Sequence, residues 1–204
     1  MSESTSTLYR IIQERRSIRR FNDAAIPPET LQRVLDAATM APSAHNRQPW
    51  RFVILTALED KRSLANALGE ELREDRLADG DDPGQIERDV TQSVGRITDA
   101  PVLVIACLSV EAMDDYPDER RKTAEYIMAV QGVAMAAQNL LLAAHAEGLG
   151  ACWLCAPLFT KDEVREELNL PEGWDPQGLI ILGYPAHAGK DRPRRPIEEV
   201  LLWR

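Results

Sequence analysis

Tyr126-Ile-Met-Ala-Val-Gln-Gly-Val-Ala-Met-Ala-Ala-Gln-Asn-Leu-Leu-Leu-Ala-Ala-His-Ala146 is the most apolar long segment of the chain, and the way it is buried decides the fold. Gln131, Gln138, Asn139 and His145 interrupt it, and such groups are costly in hydrocarbon, so a membrane span is the poorer reading. The segment reads instead as the long buried central helix of a globular core. It runs from about residue 120 to residue 147 and is stopped by Gly148, a residue suited to the position just past a helix end.

Outward from this helix the flanking runs are strands. Pro101-Val-Leu-Val-Ile-Ala-Cys-Leu108 is continuously apolar at strand length, which implies burial on both faces and a central place in a sheet. Residues 51–56 form a strand before it, and residues 150–155 and 177–184 form two after the helix. Between those two, Thr160 and Glu163 have capping-box spacing and predict a short helix. Two helices open the chain. One starts after Ser6 as N-cap and carries Leu8, Ile11 and Ile12. The other starts at Pro27-Pro28-Glu29, carries Leu31, Val34, Leu35 and Ala38, and is ended by Pro42. The 59–100 stretch holds two more helical periods, Leu64, Leu68, Leu72 and then Ile86, Val90, Val94, Ile97, joined by the acidic ADGDDPGQ. It reads as a mobile helical excursion. Strands and long helices in mixed order, without a repeat, predict an α+β fold.

Bulk properties narrow the function classes. With 204 residues the chain has room for one domain with a full core, taken as residues 1–204. A formal net charge of −9 argues against nucleic-acid binding, so any cationic site has to be local. The three cysteines are too few and odd in number for a disulfide scaffold, and MSESTSTLYR lacks the basic-then-apolar pattern of a secretory signal. A cytoplasmic protein is expected, bound neither to nucleic acid nor to membrane.

Four constellations could carry chemistry. In Arg15-Arg16-Ser17-Ile18-Arg19-Arg20, planar guanidinium forks suit a phosphate, and Ser17 adds a hydroxyl; an ordinary basic helix end is the equally weighted alternative. In Pro42-Ser43-Ala44-His45-Asn46-Arg47-Gln48-Pro49-Trp50, Asn46 and Gln48 offer the donors and acceptors that a flavin or pteridine ring edge alternates, although a plain polar loop explains them too. His45 reads as a solvated loop histidine. The third, Gly148-Leu-Gly-Ala-Cys-Trp-Leu-Cys155, brings glycines into a strand, where backbone can approach a flat ligand. Its Cys152 and Cys155 match C-x-x-C, but strand alternation separates them and no second ligand pair is evident, so no metal is assigned. The fourth is the tail, with Arg192, Arg194 and Arg195 among prolines. Its Ile197, Val200, Leu201, Leu202 and Trp203 need a surface to cover them.

These motifs, in this order and over nearly the whole chain, resemble the nitroreductase family. The resemblance implies a mixed, mainly antiparallel sheet flanked by helices, and a homodimer with FMN at the interface and a C-terminal segment wrapping the partner. By position, Arg15, Arg16, Ser17 and Arg19 would hold the flavin phosphate and ribityl end, completed by Arg194 and Arg195. Pro42, Ser43, Ala44, Asn46 and Gln48 would reach the ring from the other protomer, and the backbone of Cys152, Trp153 and Leu154 would lie beside the ring near N5. The chemistry falls on N5, so no catalytic side chain is required. The 59–100 region is the family's variable part, where substrate choice is expected.

A narrower similarity lies at the end. EELNLPEGWDPQGLIILGYP followed by EEVLLWR resembles the C-terminal flavin domain of the coenzyme F-420 biosynthesis protein FbiB, which implies reduction of a dehydro-F-420 precursor by reduced FMN. An NAD(P)H-dependent nitro or quinone reductase with ping-pong kinetics is the alternative, and a flavin-binding module without turnover is a third reading.

Overall fold

The computed structural model describes residues 3–204, with side chains from Ser6 onward. Helix α1 (Glu3–Glu14) and helix α2 (Pro28–Thr39) precede strand β1 (Trp50–Leu55). The hairpin of α3 (Leu58–Ala78) and α4 (Pro83–Thr98) follows, then β2 (Val102–Ser109) and α5 (Glu119–Ala146). Strand β3 (Gly150–Leu154), the short α6 (Lys161–Glu167) and β4 (Trp174–Gly183) complete the body. The strands form one sheet in the order β1-β2-β4-β3, and every adjacent pair is antiparallel. The parallel component of the expected mixed sheet is a single bridge, Ser17 to Ala151.

Strand β2 shows why its sequence lacks alternation. Leu103, Ile105 and Cys107 face one helical layer, with Leu64, Leu68, Ile97 and Val164 of α3, α4 and α6. Val102 and Val104 face the other, with Val34, Ala38, Leu140 and Ala144 of α2 and α5, and Ala106 and Leu108 continue that face against Ala129 and Val133. Both faces of the strand are dry, so both parities are apolar. Burial pushes the Cys107 thiol up to about 12, with the Asp175 carboxylate adding to the effect. Pro176 sits in β4 where the register with β2 slips between Ala106 and Cys107, and where β3 no longer pairs, so its missing N–H costs little.

The α3–α4 hairpin is not the excursion that its polar linker suggested. Leu64, Ala65 and Ile97 are fully buried and form half of one core layer. Lys61 is buried among them and donates from Nζ to the Ala100 carbonyl at 2.6 Å, and desolvation holds its pKa below the ordinary lysine value. The turn that looked like a flexible acidic stretch is a cap: the Asp82 carboxylate accepts from the Gln85 N–H at 2.8 Å at the start of α4.

Other boundaries shift for local reasons. Ser6 lies inside α1, not before it. The Thr160 hydroxyl donates to the Ala156 carbonyl at 3.0 Å instead of capping α6, because the 3-10 turn Ala156–Leu158 puts that carbonyl within reach. Strand β4 starts at Trp174, three residues before the expected position, as Asp175 and Pro176 pair with β2 despite being poor strand formers. Gly148 does end α5, at φ +77°, with Leu149 N–H returning to the Ala144 carbonyl at 2.8 Å.

Helix α5 is buried along one side only. Ala129, Gly132, Val133, Ala136, Leu140 and Ala144 face the sheet, while Ile127, Gln131, Met135 and Gln138 face outward. Its length and apolar composition would let it cross a membrane, but the inward face is committed to the core.

Candidate flavin site

The arginine-rich segment is fixed in place by its one apolar residue. Ile18 is 5% exposed and its N–H donates to the Ala151 carbonyl at 3.0 Å, which sets Ser17 and Ile18 on the outer edge of β3, while Phe21 bridges Pro185 just beyond β4. Gly150 permits this, since a Cβ there would stand 2.7 Å from Ile18 Cβ. Asn22 N–H donates to the Tyr184 carbonyl and Ala186 N–H to the Arg20 carbonyl, so the chain leaving β4 binds the same segment. Beyond it Gly189, at φ +80°, lies directly on Arg16 and Ile18, which returns the basic tail to the first cluster.

The result is a cleft of about 840 Å³ whose lining includes Arg15, Arg16, Ser17 and Arg19 from the first cluster and Arg194 from the tail. Eight of the 24 lysines and arginines line it, against two aspartates, in a chain of net charge −9. The cationic site is local, as the acidic composition requires of any such site. Arg195 is not among the lining residues. Arg16 lines the cleft with its guanidinium already engaged, by Asp191 at 2.8 Å and by the carbonyls of Gln13 and Arg15. In this conformation it braces the tail more than it offers donors.

Arg192, named with the tail in the sequence, lines the cleft too, whereas sequence reasoning missed Arg96, Gln92 and Lys190. Arg96 stands in the last turn of α4, where a cation reads simply as complementing the helix dipole, and only the packing of the hairpin turns it toward the site. Burial pushes the Cys152 thiol up, and Arg19, the Ser17 hydroxyl, Arg96 and Arg15 pull it back. These groups thus converge over one point of β3.

The edge of β3 beside them is partly open. Because Ala151 O accepts from Ile18, the backbone groups of Ala151 face away from β4, and the two-residue period turns those of Trp153 the same way. The Trp153 indole lies inward over Gly178, where a Cβ would stand 2.1 Å from Cζ2, and its Nε1 donates to Cys155 Sγ at 3.2 Å. Cys152 and Leu154 point into the opposite layer. Residues 152–154 are not among those lining the cleft; the outward main-chain groups of Trp153 lie on the free edge of β3.

Among the described residues, loop 42–48 carries the densest backbone strain. His45, Asn46 and Gln48 have φ of 48°, 55° and 50°, and Asn169 is the one other such non-glycine residue among those described. Left-handed non-glycine residues cost of order 1–3 kcal/mol each and cluster at functional sites. Here the strain is held by Ser43, whose Oγ accepts from Gln48 N–H at 2.9 Å, and by Gly132 of α5, whose missing Cβ leaves room for Pro49. Pro42, Ala44 and Asn46 ride on the same turn. The loop enters the first residue of β1, at the edge of the sheet opposite β3 and at the other strand end. Three strand spacings alone make about 14 Å. One chain therefore does not bring loop 42–48 to the arginine cleft.

These features fit FMN piecewise: unpaired guanidinium donors for a phosphate, an open strand edge for a flat ring, and a rigid loop of amide side chains. The sequence profile of the nitroreductase family matches residues 12–184. An NADH dehydrogenase of Thermus thermophilus is 29% identical over 215 residues, covering 94% of this chain and 93% of that protein. A Desulfovibrio desulfuricans protein crystallised in complex with FMN is 30% identical with a TM-score of 0.74, covering 97% of this chain and 96% of the other. The NADPH:FMN oxidoreductase of Vibrio harveyi, crystallised with NAD+, shares the fold at 23% identity and a TM-score of 0.74, over 96% of this chain and 76% of that one. With its sheet, its cationic cleft and a family match across most of its length, the chain belongs to the nitroreductase family and is an FMN-dependent oxidoreductase.

Proposed function

We propose that this chain works as a homodimer that reduces a small-molecule acceptor with electrons taken from NAD(P)H, and that FMN lies between the subunits. The observation that carries this reading is the separation of the two half-sites: the arginine cleft and loop 42–48 occupy opposite corners of one sheet, so a second copy has to supply the missing half. Three apolar surfaces await cover in the single chain. Leu8 and Ile12 on α1, Ile127 and Met135 on α5, and Val200, Leu202 and Trp203 of the tail are all exposed. A pairing that buries them would let the tail wrap the partner.

In that assembly Arg15, Ser17, Arg19 and Arg194 hold the phosphate, Arg16 braces the tail beside them through Asp191, and Arg195 lies outside the cleft lining. Asn46 and Gln48 address the ring edge from the second copy, positioned by Pro42, Ser43 and Ala44. The outward amide of Trp153, with its neighbours Cys152 and Leu154, borders the ring. Arg96 brings a cation to the same cleft, where negative charge on the reduced cofactor would be stabilised. FMN, when bound, would supply the hydride chemistry at N5; the protein's part is to bind, orient and exclude water. The free thiols suit the reducing cytoplasm that we propose as its compartment.

The nicotinamide names of the relatives support this reductant. Reduction of a dehydro-F-420 precursor is the second reading, supported by the run at 166–185 and by 198–204. Light scattering should give twice the 22.8 kDa chain mass with one FMN per chain. Mixing with NADPH in a stopped-flow instrument should bleach the flavin within the turnover time. A monomer that retains FMN would refute the shared site. Flavin that stays oxidised under NADH and NADPH, while dithionite-reduced enzyme consumes dehydro-F-420-0, would transfer the assignment to the second reading.

A further inference from the structure

The cleft holds more positive charge than the flavin needs, and the surplus is unpaired. Elsewhere Arg33, Arg47, Arg73, Arg76, Arg121 and Arg165 each hold a carboxylate, as expected in a chain with more acids than bases. In the cleft Arg15, Arg19, Arg20, Lys190, Arg192 and Arg194 form no ion pair among the described residues. Asp191, one of its two acids, is engaged by Arg16. Like charges brought together without partners repel, so the arrangement is favoured only when anions enter. A phosphate monoester carries about two negative charges on three terminal oxygens. Arg15, Arg19, Ser17 and Arg194 suffice for it, bidentately or singly. A volume of about 840 Å³ is that of a site for a whole ligand, not for one phosphate group.

We propose that Arg20, Lys190 and Arg192 form a second anion subsite beside the flavin phosphate, which takes a phosphate group carried by the enzyme's own electron donor or acceptor. The inference rests on the flavin reading above. Lys190 and Arg192 flank Asp191, whose bond to Arg16 fixes this part of the tail over the first cluster, and Gly189 permits the close approach. The tail thus discriminates substrates by charge while the ring face performs the reduction. Substrates bearing phosphate are favoured over neutral analogues with the same reactive group.

The test uses FMN-loaded holoenzyme and the triple variant R20A/K190A/R192A, whose changes are all at exposed positions. The donor arm compares the dissociation constants of NADPH and of N-benzyl-1,4-dihydronicotinamide, which has no phosphate, in flavin reduction. The acceptor arm compares FMN with riboflavin as oxidants of the reduced holoenzyme. Each exposed cation contributes a factor of about two to three, so the variant should bind the phosphate-bearing member roughly tenfold more weakly and the neutral member unchanged. That result in the donor arm assigns the subsite to the reductant, and in the acceptor arm to the oxidant. Equal effects on charged and neutral members, or none in either arm, would overturn the proposal. Loss of bound FMN from the variant would also overturn it, by placing these residues in the cofactor's own phosphate site. Failure of the unaltered protein to retain FMN at all would instead refute the flavin reading on which it rests.

Discussion

Replacing Arg19 by alanine should raise the dissociation constant for FMN about tenfold, and the neighbouring Arg16 should behave differently although both lie in the same motif. Arg19 is exposed in the cleft, forms no ion pair among the described residues, and acts on the Cys152 thiol together with the Ser17 hydroxyl, so its guanidinium is available beside the strand edge. A charge-assisted hydrogen bond contributes about 1.5–3 kcal/mol, and solvent exposure takes the lower end, which is about tenfold in affinity. Arg16 is bound to Asp191 at 2.8 Å and to two backbone carbonyls. Its removal deletes one positive charge and also leaves the Asp191 carboxylate unneutralised at the phosphate. Asp191 is 84% exposed, so screening limits that repulsion to a factor of about two or three. Arg16→Ala should therefore weaken FMN, and R16A/D191N should recover most of the loss, whereas adding Asp191→Asn to Arg19→Ala should recover little. Quenching of flavin fluorescence on titration into apoprotein measures all four proteins, with circular dichroism as the control for folding. An Arg19→Ala protein that binds FMN within twofold of the unaltered one would refute the assignment of the cleft to the phosphate. Equal rescue by Asp191→Asn in both backgrounds would refute the distinct role of Arg16.

Gly178→Ala places a methyl group 2.1 Å from the Trp153 indole and should destabilise the protein by about 1–3 kcal/mol in urea denaturation; a second change of Trp153 to leucine should relieve it, and an unchanged midpoint in the single variant would contradict the packing. Asp175 accepts from Tyr126 OH, Lys161, Arg165 and Gln177, tying α5 and α6 to β4. Burial lowers the Lys161 pKa, but the bonds to Asp175 and Tyr126 more than offset it and hold the ammonium above its ordinary value. Asp175→Ala leaves Lys161 without its acid and Arg165 with Asp162 alone, and should cost about 2 kcal/mol, seen as a fall of several degrees in melting temperature. The Arg33 side chain, by hydrogen bonding, holds the Glu147 carboxyl below its usual value. The stabilisation from this pair is present above the unfolded carboxylate pKa and is lost as the pH falls through the depressed folded value. An NMR titration should show Glu147 returning toward 4.5 in Arg33→Ala, and no movement would contradict the bridge.

The sequence by itself determined the secondary elements and the parts of the site that one stretch of chain builds alone. The uninterrupted apolar run of β2 encodes burial on both faces, Gly148 encodes the end of α5, and the clustered arginines encode a local cation in an acidic chain. Those signals are legible because each arises from neighbours in sequence: a repeat of side-chain polarity, a left-handed φ, a run of like charge. Motif order added the cofactor, since four short segments in fixed succession resemble a single family. Tertiary structure alone decided which of these segments meet. The α3–α4 hairpin became core and presented Arg96 to the cleft because Leu64 and Ile97 find the sheet, a contact invisible along the chain. Thr160 forsook its cap because Ala156 offered a nearer carbonyl. Arg16 was drawn to Asp191, 175 positions away, while loop 42–48 was carried to the far corner of the sheet by the β1-β2-β4-β3 order. Polarity patterns report whether a residue is buried; the distances that make a site depend on how separate elements pack, and the packing is set by the shape of the whole core.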